Sequence, residues 1–227
     1  MERGLARLQA VTGLVFAVFL TVHLVALCAS ALGPGWYDGV QRSTAVVYRA
    51  APYEWVLLLL PLVVHVVVGV VRMRRRPRRT TPLPWAVRLH RQSAWLLLAV
   101  IFGHVGATRG LQLAYDVDCG FAGVSFAMAW MPGFFSLYYS LLAIAGLIHG
   151  VYGVASALAV LGVRVPPPTR VLRRAALPLV VIGLLAIAGV ASFAGWLYAI
   201  PDPLDNDYAR VYRDVFGVGG ATGKRTP

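Results

Sequence analysis

The sequence predicts an all-α integral membrane protein, a single bundle of five transmembrane helices, and three observations predict it. Of 227 residues, 59% are hydrophobic and only 13% charged, far from the make-up of a water-soluble domain. Five stretches, 8–32, 52–71, 85–108, 133–162 and 175–200, reach the roughly 20 mainly apolar residues that a span requires. They fill residues 1–200 as one domain and leave a polar, Gly-rich tail, 201–227. No soluble catalytic domain has room.

The first stretch opens like a signal peptide, with Arg3 and Arg7 before an apolar run. The run continues past His23 to Ala31 without a convincing small-residue cleavage site, so it reads as a retained helix. Gly33-Pro34-Gly35 stops it. Residues 36–50 mix Trp36, Tyr37, Asp38, Arg42 and Tyr48, the character of a short helix lying at headgroup level. Pro52 opens the second span, where a missing N–H costs nothing, and Arg72 ends it. A basic, Pro-containing loop, 72–84, leads to Pro84-Trp85 and the third span, which passes Arg88, His90 and Arg91 and exits at Thr108-Arg109. The longest connection, 110–132, carries Asp116, Asp118 and Cys119 and reads as a loop, part of it lying over the mouth of the bundle. The fourth span ends at the rigid turn Pro166-Pro167-Pro168. Pro178 falls in the first turn of the fifth, which is expected to end near Ile200. Residues after 217 read as disordered. Cys28 and Cys119 read as free thiols, although a disulfide is chemically open to them on the outer side.

Charge orients the chain. The net charge is +12, from 21 Lys and Arg against 9 Asp and Glu. The N-terminal side of the predicted spans collects Arg3, Arg7, the run from Arg72 to Arg79, Arg88, Arg91, Arg164, Arg170, Arg173 and Arg174. These are 14 of the 21 basic residues, with one acid, Glu2; the other side has seven basic residues and eight acids. So sided a distribution argues against nucleic acid as the reason for the charge. It is the positive-inside pattern, placing the N-terminus in the cytoplasm and the C-terminus outside a bacterial cytoplasmic membrane.

Four histidines stand alone in four of the spans: His23, His65, His104 and His149. An imidazole is costly in hydrocarbon unless it is hydrogen-bonded or ligates a metal. Counting along the helices, His65 lies about 9 Å from the inner end of its span and His104 about 6 Å from the outer end of its own. His149 sits in the middle to inner half and His23 in the outer half. Ligands must face each other at equal depth, so His65 is expected opposite His149 and His23 opposite His104. No Cys or carboxylate stands nearby to complete a zinc or copper site. Haem asks for only two axial ligands, and bis-His ligation suits electron transfer. The expectation is two b-type haems held in the bundle, an inner one on His65 and His149 and an outer one on His23 and His104.

Gly69, Gly146 and Gly153 suit either close approach of a macrocycle or tight helix packing. Cations for the propionates are at hand in Arg88, His90, Arg91 and Arg72 on the inner side and Arg109 and Arg42 on the outer, Arg91 being the best placed. The same arginines serve equally as snorkelling topology signals. His90 has three readings: a propionate partner, a contact to a second quinone, or a solvated boundary residue. Trp36, Tyr37 and Tyr53 suit either an outer quinone pocket or an aromatic belt.

With these residues in view, the chain resembles the five-helix, two-haem cytochrome b anchor of succinate dehydrogenases and fumarate reductases, most of all the single-subunit anchors that use menaquinone. The likeness covers residues 5–200. It rests on Thr12-Gly13 ahead of His23, the Leu-Pro-Leu run with His65 and Gly69, Arg91 ahead of His104, Ala107-Thr108-Arg109, and Ile148-His149-Gly150. The family's one ligand per helix, inner haem on the second and fourth helices and outer haem on the first and third, implies the same two pairs. The resemblance further implies a cytoplasmic flavoprotein subunit and an iron-sulfur subunit docked on 72–84 and 164–174, and a membrane quinone, by analogy menaquinone. It also implies that Glu54 exchanges protons with that quinone near the outer haem; a Glu capping the second helix is the plainer reading. Where some members carry a glutamate two residues before the fourth ligand, this chain has Leu147, so a proton path through that carboxylate is not expected.

Two other functions compete. A dihaem anchor of a different dehydrogenase or reductase would share most of these features, but the one-ligand-per-helix order argues against it. A haem-free transporter would need polar or broken midplane segments, and the spans are otherwise bland.

Overall fold

Apolar side chains repeated over long, Gly/Pro-bounded runs give long helices, and no strand occurs among the described residues. The computed structural model describes residues 2–49, 53–75 and 82–217. Five helical runs are long and apolar enough to cross a membrane: Glu2–Leu32, Trp55–Arg75, Trp85–Tyr115, Pro132–Val160 and Ala176–Phe193. The protein is all-helical and multi-pass. Large apolar side chains such as Val18, Val67, Leu177 and Leu184 lie on its outside, as a lipid-facing surface requires.

In chain order, α1 (Glu2–Ala29) ends in a 3₁₀ turn at Ser30–Leu32 and is stopped by Gly33, whose φ of +132° suits only glycine. Then come α2 (Pro34–Tyr48) and α3 (Leu60–Arg75), the latter preceded by a π-helical turn, Trp55–Leu59. α4 (Trp85–Val105) runs through a second π turn, Gly106–Gly110, into α5 (Leu111–Tyr115). α6 (Gly120–Trp130), α7 (Pro132–Val160), α8 (Pro168–Arg174), α9 (Ala176–Phe193) and α10 (Asp207–Phe216) complete the chain.

Helix α7 packs directly on α1, α4 and α9, and α1 packs on α3, α7 and α9. The four histidine-bearing helices therefore stand in the order α3, α1, α7, α4 around an interior. Packing between α3 and α4 is weaker than along the other three sides. Where α1 meets α9 the contact is very tight. A Cβ on Gly189 would collide with the backbone oxygen of Leu27, and Ser30 Oγ donates to Gly189 O at 3.1 Å. Small residues allow such approach in place of a hydrophobic driving force.

Several boundaries differ from the sequence reading. The fifth span ends at Phe193 rather than Ile200, because Gly195 turns the chain with φ +77°. The helix of the third span runs on past Thr108, through the π turn to Tyr115, and is stopped by left-handed Asp116. The connection 110–132 is no loop. Eleven of its residues form α6, too short to span, and Phe121, Val124, Phe126 and Met128 bury it across one end of the bundle against α2 and α9. The tail, too, folds: Asn206 caps α10 by accepting from Ala209 N at 2.8 Å, and Gly217 closes it with φ +64°. Both cysteines are free. Pro52, Arg76, Arg78, Arg79 and the segment after 217 lie outside the described residues.

Candidate functional site

The four isolated histidines meet as two pairs. His65 on α3 faces His149 on α7, ring centroids 6.2 Å apart and planes at 87°; His23 on α1 faces His104 on α4, 5.9 Å apart and at 73°. These are the two diagonals of the four-helix arrangement. Direct helix packing runs along α3–α1, α1–α7 and α7–α4, whereas the imidazoles reach across the interior. Two imidazoles on opposite sides of one metal, with metal–nitrogen bonds of about 2 Å, hold their centroids about 6 Å apart.

The pair nearer the N-terminal, basic end is anchored from α1. His65 Nδ1 lies 3.1 Å from Gln9 O. A carbonyl only accepts, so Nδ1 carries the proton and Nε2 keeps its lone pair. Backbone carbonyls orient metal-binding imidazoles in this way. Gln9 is itself gripped: Arg72 donates to Gln9 Oε1 at 2.5 Å and to Glu2 Oε1 at 2.7 Å. Gly13 backs the same ring, for a Cβ there would stand 2.8 Å from His65 Cε1. Nδ1 of His149 is buried and makes no hydrogen bond of good geometry among the described residues, with the His90 backbone its nearest polar neighbour.

His90, on α4, stacks on His149 at 4.4 Å and 14°, and on Tyr152 at 4.4 Å and 24°. It is therefore neither a solvated boundary residue nor a member of either diagonal pair; it flanks one. Arg91, next to it, is half-buried and has no ion-pair partner among the described residues.

At the opposite end, His23 is backed by Phe19, stacked at 5.6 Å, and His104 touches Tyr139 at 6.4 Å. A cavity of about 190 Å³ borders His104 and is walled by Thr108, Phe135, Tyr138 and Tyr139, with Tyr208 of α10 also lining it. The Thr108 hydroxyl donates back to His104 O at 2.8 Å.

Glu54 and Arg109, given separate roles by the sequence reading, are one unit. Arg109 Nη2 donates to Glu54 Oε2 at 2.6 Å and Nε donates to Oε1, a bidentate pair in which Glu54 is 7% exposed. Glu54 immediately precedes one π turn and Arg109 lies inside the other. Such turns shift the side chains that follow around the helix axis and recur at functional sites.

The glycines resolve residue by residue. Gly69 faces Gln9, Gly146 and Gly150 face Leu20, and Gly153 faces His90, all protein contacts. Gln9, Gly13 and Tyr208 were not singled out as supports of a site by sequence. Gln9 was legible only as a polar residue at the very start of the first span.

Chemically, each pair offers two neutral donors and nothing else. No cluster of three or more His, Cys, Asp or Glu gathers as a ligand set among the described residues. Two facing imidazoles would suit an iron whose remaining positions a macrocycle fills, and His23, His65, His104 and His149 would be the residues to hold it. Comparison with known protein families, characterised proteins and solved structures finds no match for this chain.

Proposed function

We propose that the chain is the membrane anchor and electron-transfer subunit of a succinate:quinone oxidoreductase, passing electrons between a cytoplasmic iron-sulfur subunit and a membrane quinone, of the menaquinone type, through two haems b. The observation that carries this reading is the pair of histidine diagonals, each about 6 Å wide, one toward each end of the bundle. Two such stations divide the bilayer into short steps. The identity of the soluble partners rests on the sequence resemblance and on the arginine-rich end. When bound, each haem supplies a one-electron carrier with no open iron position. The chain supplies the rest. His65, fixed by Gln9 O, and His149, flanked by His90, form the inner station. His23 and His104 form the outer one, beside the aromatic cavity, and the Glu54–Arg109 pair lies toward the same end.

A reduced-minus-oxidised spectrum with pyridine haemochrome quantification on the purified complex tests this. The expected result is two haems b per chain, with His65→Ala and His104→Ala each removing a different one. A colourless complex refutes the reading. Copurifying flavoprotein and iron-sulfur subunits with succinate dehydrogenase activity are expected, and a different soluble partner would reassign the anchor.

A further inference from the structure

We propose that Tyr208, and through it the C-terminal helix α10, is a positioning element of the His23–His104 station that closes the cavity beside His104 and pins the π turn following that histidine. The inference rests on the haem reading for its redox consequence but on geometry alone for the closure.

Every other wall of the cavity comes from α4, its π extension or α7; Tyr208 is the one lining residue from elsewhere. Its hydroxyl donates to Ala107 O at 2.6 Å. Ala107 lies inside the π turn Gly106–Gly110, where the backbone ladder runs one residue out of step and carbonyls are displaced from regular helix geometry. One residue on, Thr108 ties the turn back to His104 O, so the Tyr208 bond and the histidine backbone share a single helical turn. Burial raises the pKa of the Tyr208 hydroxyl, which keeps it protonated and donating at any physiological pH.

Helix α10 is built to hold that side chain. Besides its cap, Asn206 donates from Nδ2 to Pro203 O at 3.0 Å and to Ala122 O of α6 at 3.3 Å. The Tyr208 ring, 6% exposed, packs on Phe126 and Tyr212, and Tyr212 on Trp130. A tail about a hundred residues downstream in sequence thus returns to complete a site in the third span. With the ring absent, water gains a path to His104, and a hydrated station differs from a dry one in potential and in ligand access.

The test compares wild type, Tyr208→Phe and Tyr208→Ala in the assembled complex. Each is reduced with dithionite, exposed to carbon monoxide and titrated potentiometrically. Wild type is expected to bind no carbon monoxide. Tyr208→Ala is expected to form a carbonyl adduct on one haem of the two, where wild type forms none, with a changed potential at that haem only. Tyr208→Phe keeps the wall and loses the hydroxyl, so it should show a smaller change at the same haem. A second readout needs no haem: Thr108→Cys should react with a polar maleimide about tenfold faster when combined with Tyr208→Ala, a lost wall and one lost buried hydrogen bond together accounting for that factor. The proposal is overturned if Tyr208→Ala leaves labelling, potentials and carbon monoxide resistance as in wild type. It is equally overturned if both haems shift alike, which would mean general loosening. A wild-type complex without haem would refute the proposed function, while the labelling ratio would still decide the closure.

Discussion

Arg109 holds Glu54 with both arms of its guanidinium, Nη2 to Oε2 at 2.6 Å and Nε to Oε1, and so ties the segment entering α3 to the π turn that follows α4. The contact joins the start of the second candidate span to the far part of the third. On the proposed function, a quinone that reaches Glu54 competes with Arg109 for its two carboxylate oxygens.

Removing one partner leaves the other charge buried. With Glu54 nearly inaccessible and the Arg109 side chain 22% exposed, Glu54→Gln or Arg109→Leu should each cost about 2–4 kcal/mol of stability, below the full cost of a broken interior pair. The double variant Glu54→Gln with Arg109→Leu should lose less than the sum of the single replacements. Denaturant unfolding of the purified protein in detergent measures all three. Additive losses would show that the pair is not a unit.

The stack of His90 between His149 and Tyr152 predicts a different signature. His90→Phe keeps two flat contacts; His90→Leu loses both, at a cost of about 1–2 kcal/mol. On the haem reading, the leucine variant also frees the His149 plane, now held near perpendicular to His65. The low-spin electron paramagnetic resonance signal of one haem should then shift in His90→Leu while the other stays, with His90→Phe close to wild type. Identical spectra for all three proteins would remove His90 from any role at the site.

Much of this architecture was legible in the residues, and the reasons differ by element. Long apolar runs with polar boundaries announced five spans because lipid forces every backbone group into a helix. Depth counting placed His65 with His149 and His23 with His104 because rise per residue is fixed. What stayed hidden depends on non-local contact. Nothing local marks Gln9 as the acceptor for His65, or links Glu54 to Arg109, 55 residues apart. α10 is the instructive miss. Its Asn206 and Gly217 caps and its apolar Tyr208, Val211, Tyr212 and Val215 stand at helical spacing, yet the polar, Gly-rich composition of the tail outweighed that periodicity in the reading.

Gly13 offers a local test of the inner pair. A methyl there would stand 2.8 Å from His65 Cε1 and 2.9 Å from Nδ1, so the ring must move and its bond to Gln9 O must weaken. Gly13→Ala should therefore cost about 1–3 kcal/mol and, on the haem reading, lower haem content toward one per chain, the His23–His104 haem remaining. Gly150→Ala is the control: its methyl meets only the flexible Leu20 Cδ2, at 3.3 Å, and both haems should stay. Full haem occupancy in Gly13→Ala would show that His65 tolerates displacement and that its tether is dispensable.

Cys119 caps α6 beside Tyr208, and burial, with a smaller contribution from Asp118, pushes its thiol up to about 12 from an ordinary 9.0. Because the folded value is the higher one, the protonated thiol favours the native state. That contribution is complete below about pH 9 and is lost as pH rises from 9 toward 12. At pH 8 only about one Cys119 in ten thousand is a thiolate, against roughly one in ten for an unperturbed thiol, so alkylation by iodoacetamide should be slowed about a thousandfold relative to the denatured chain. Residue-resolved mass spectrometry after timed alkylation reads this directly. The rate should climb about tenfold per pH unit through pH 10 and 11, and Tyr208→Ala should raise it at every pH by opening the apolar cover. A native Cys119 that alkylates as fast as the denatured one at pH 8 would mean that α6 and α10 leave that end of the bundle open to water.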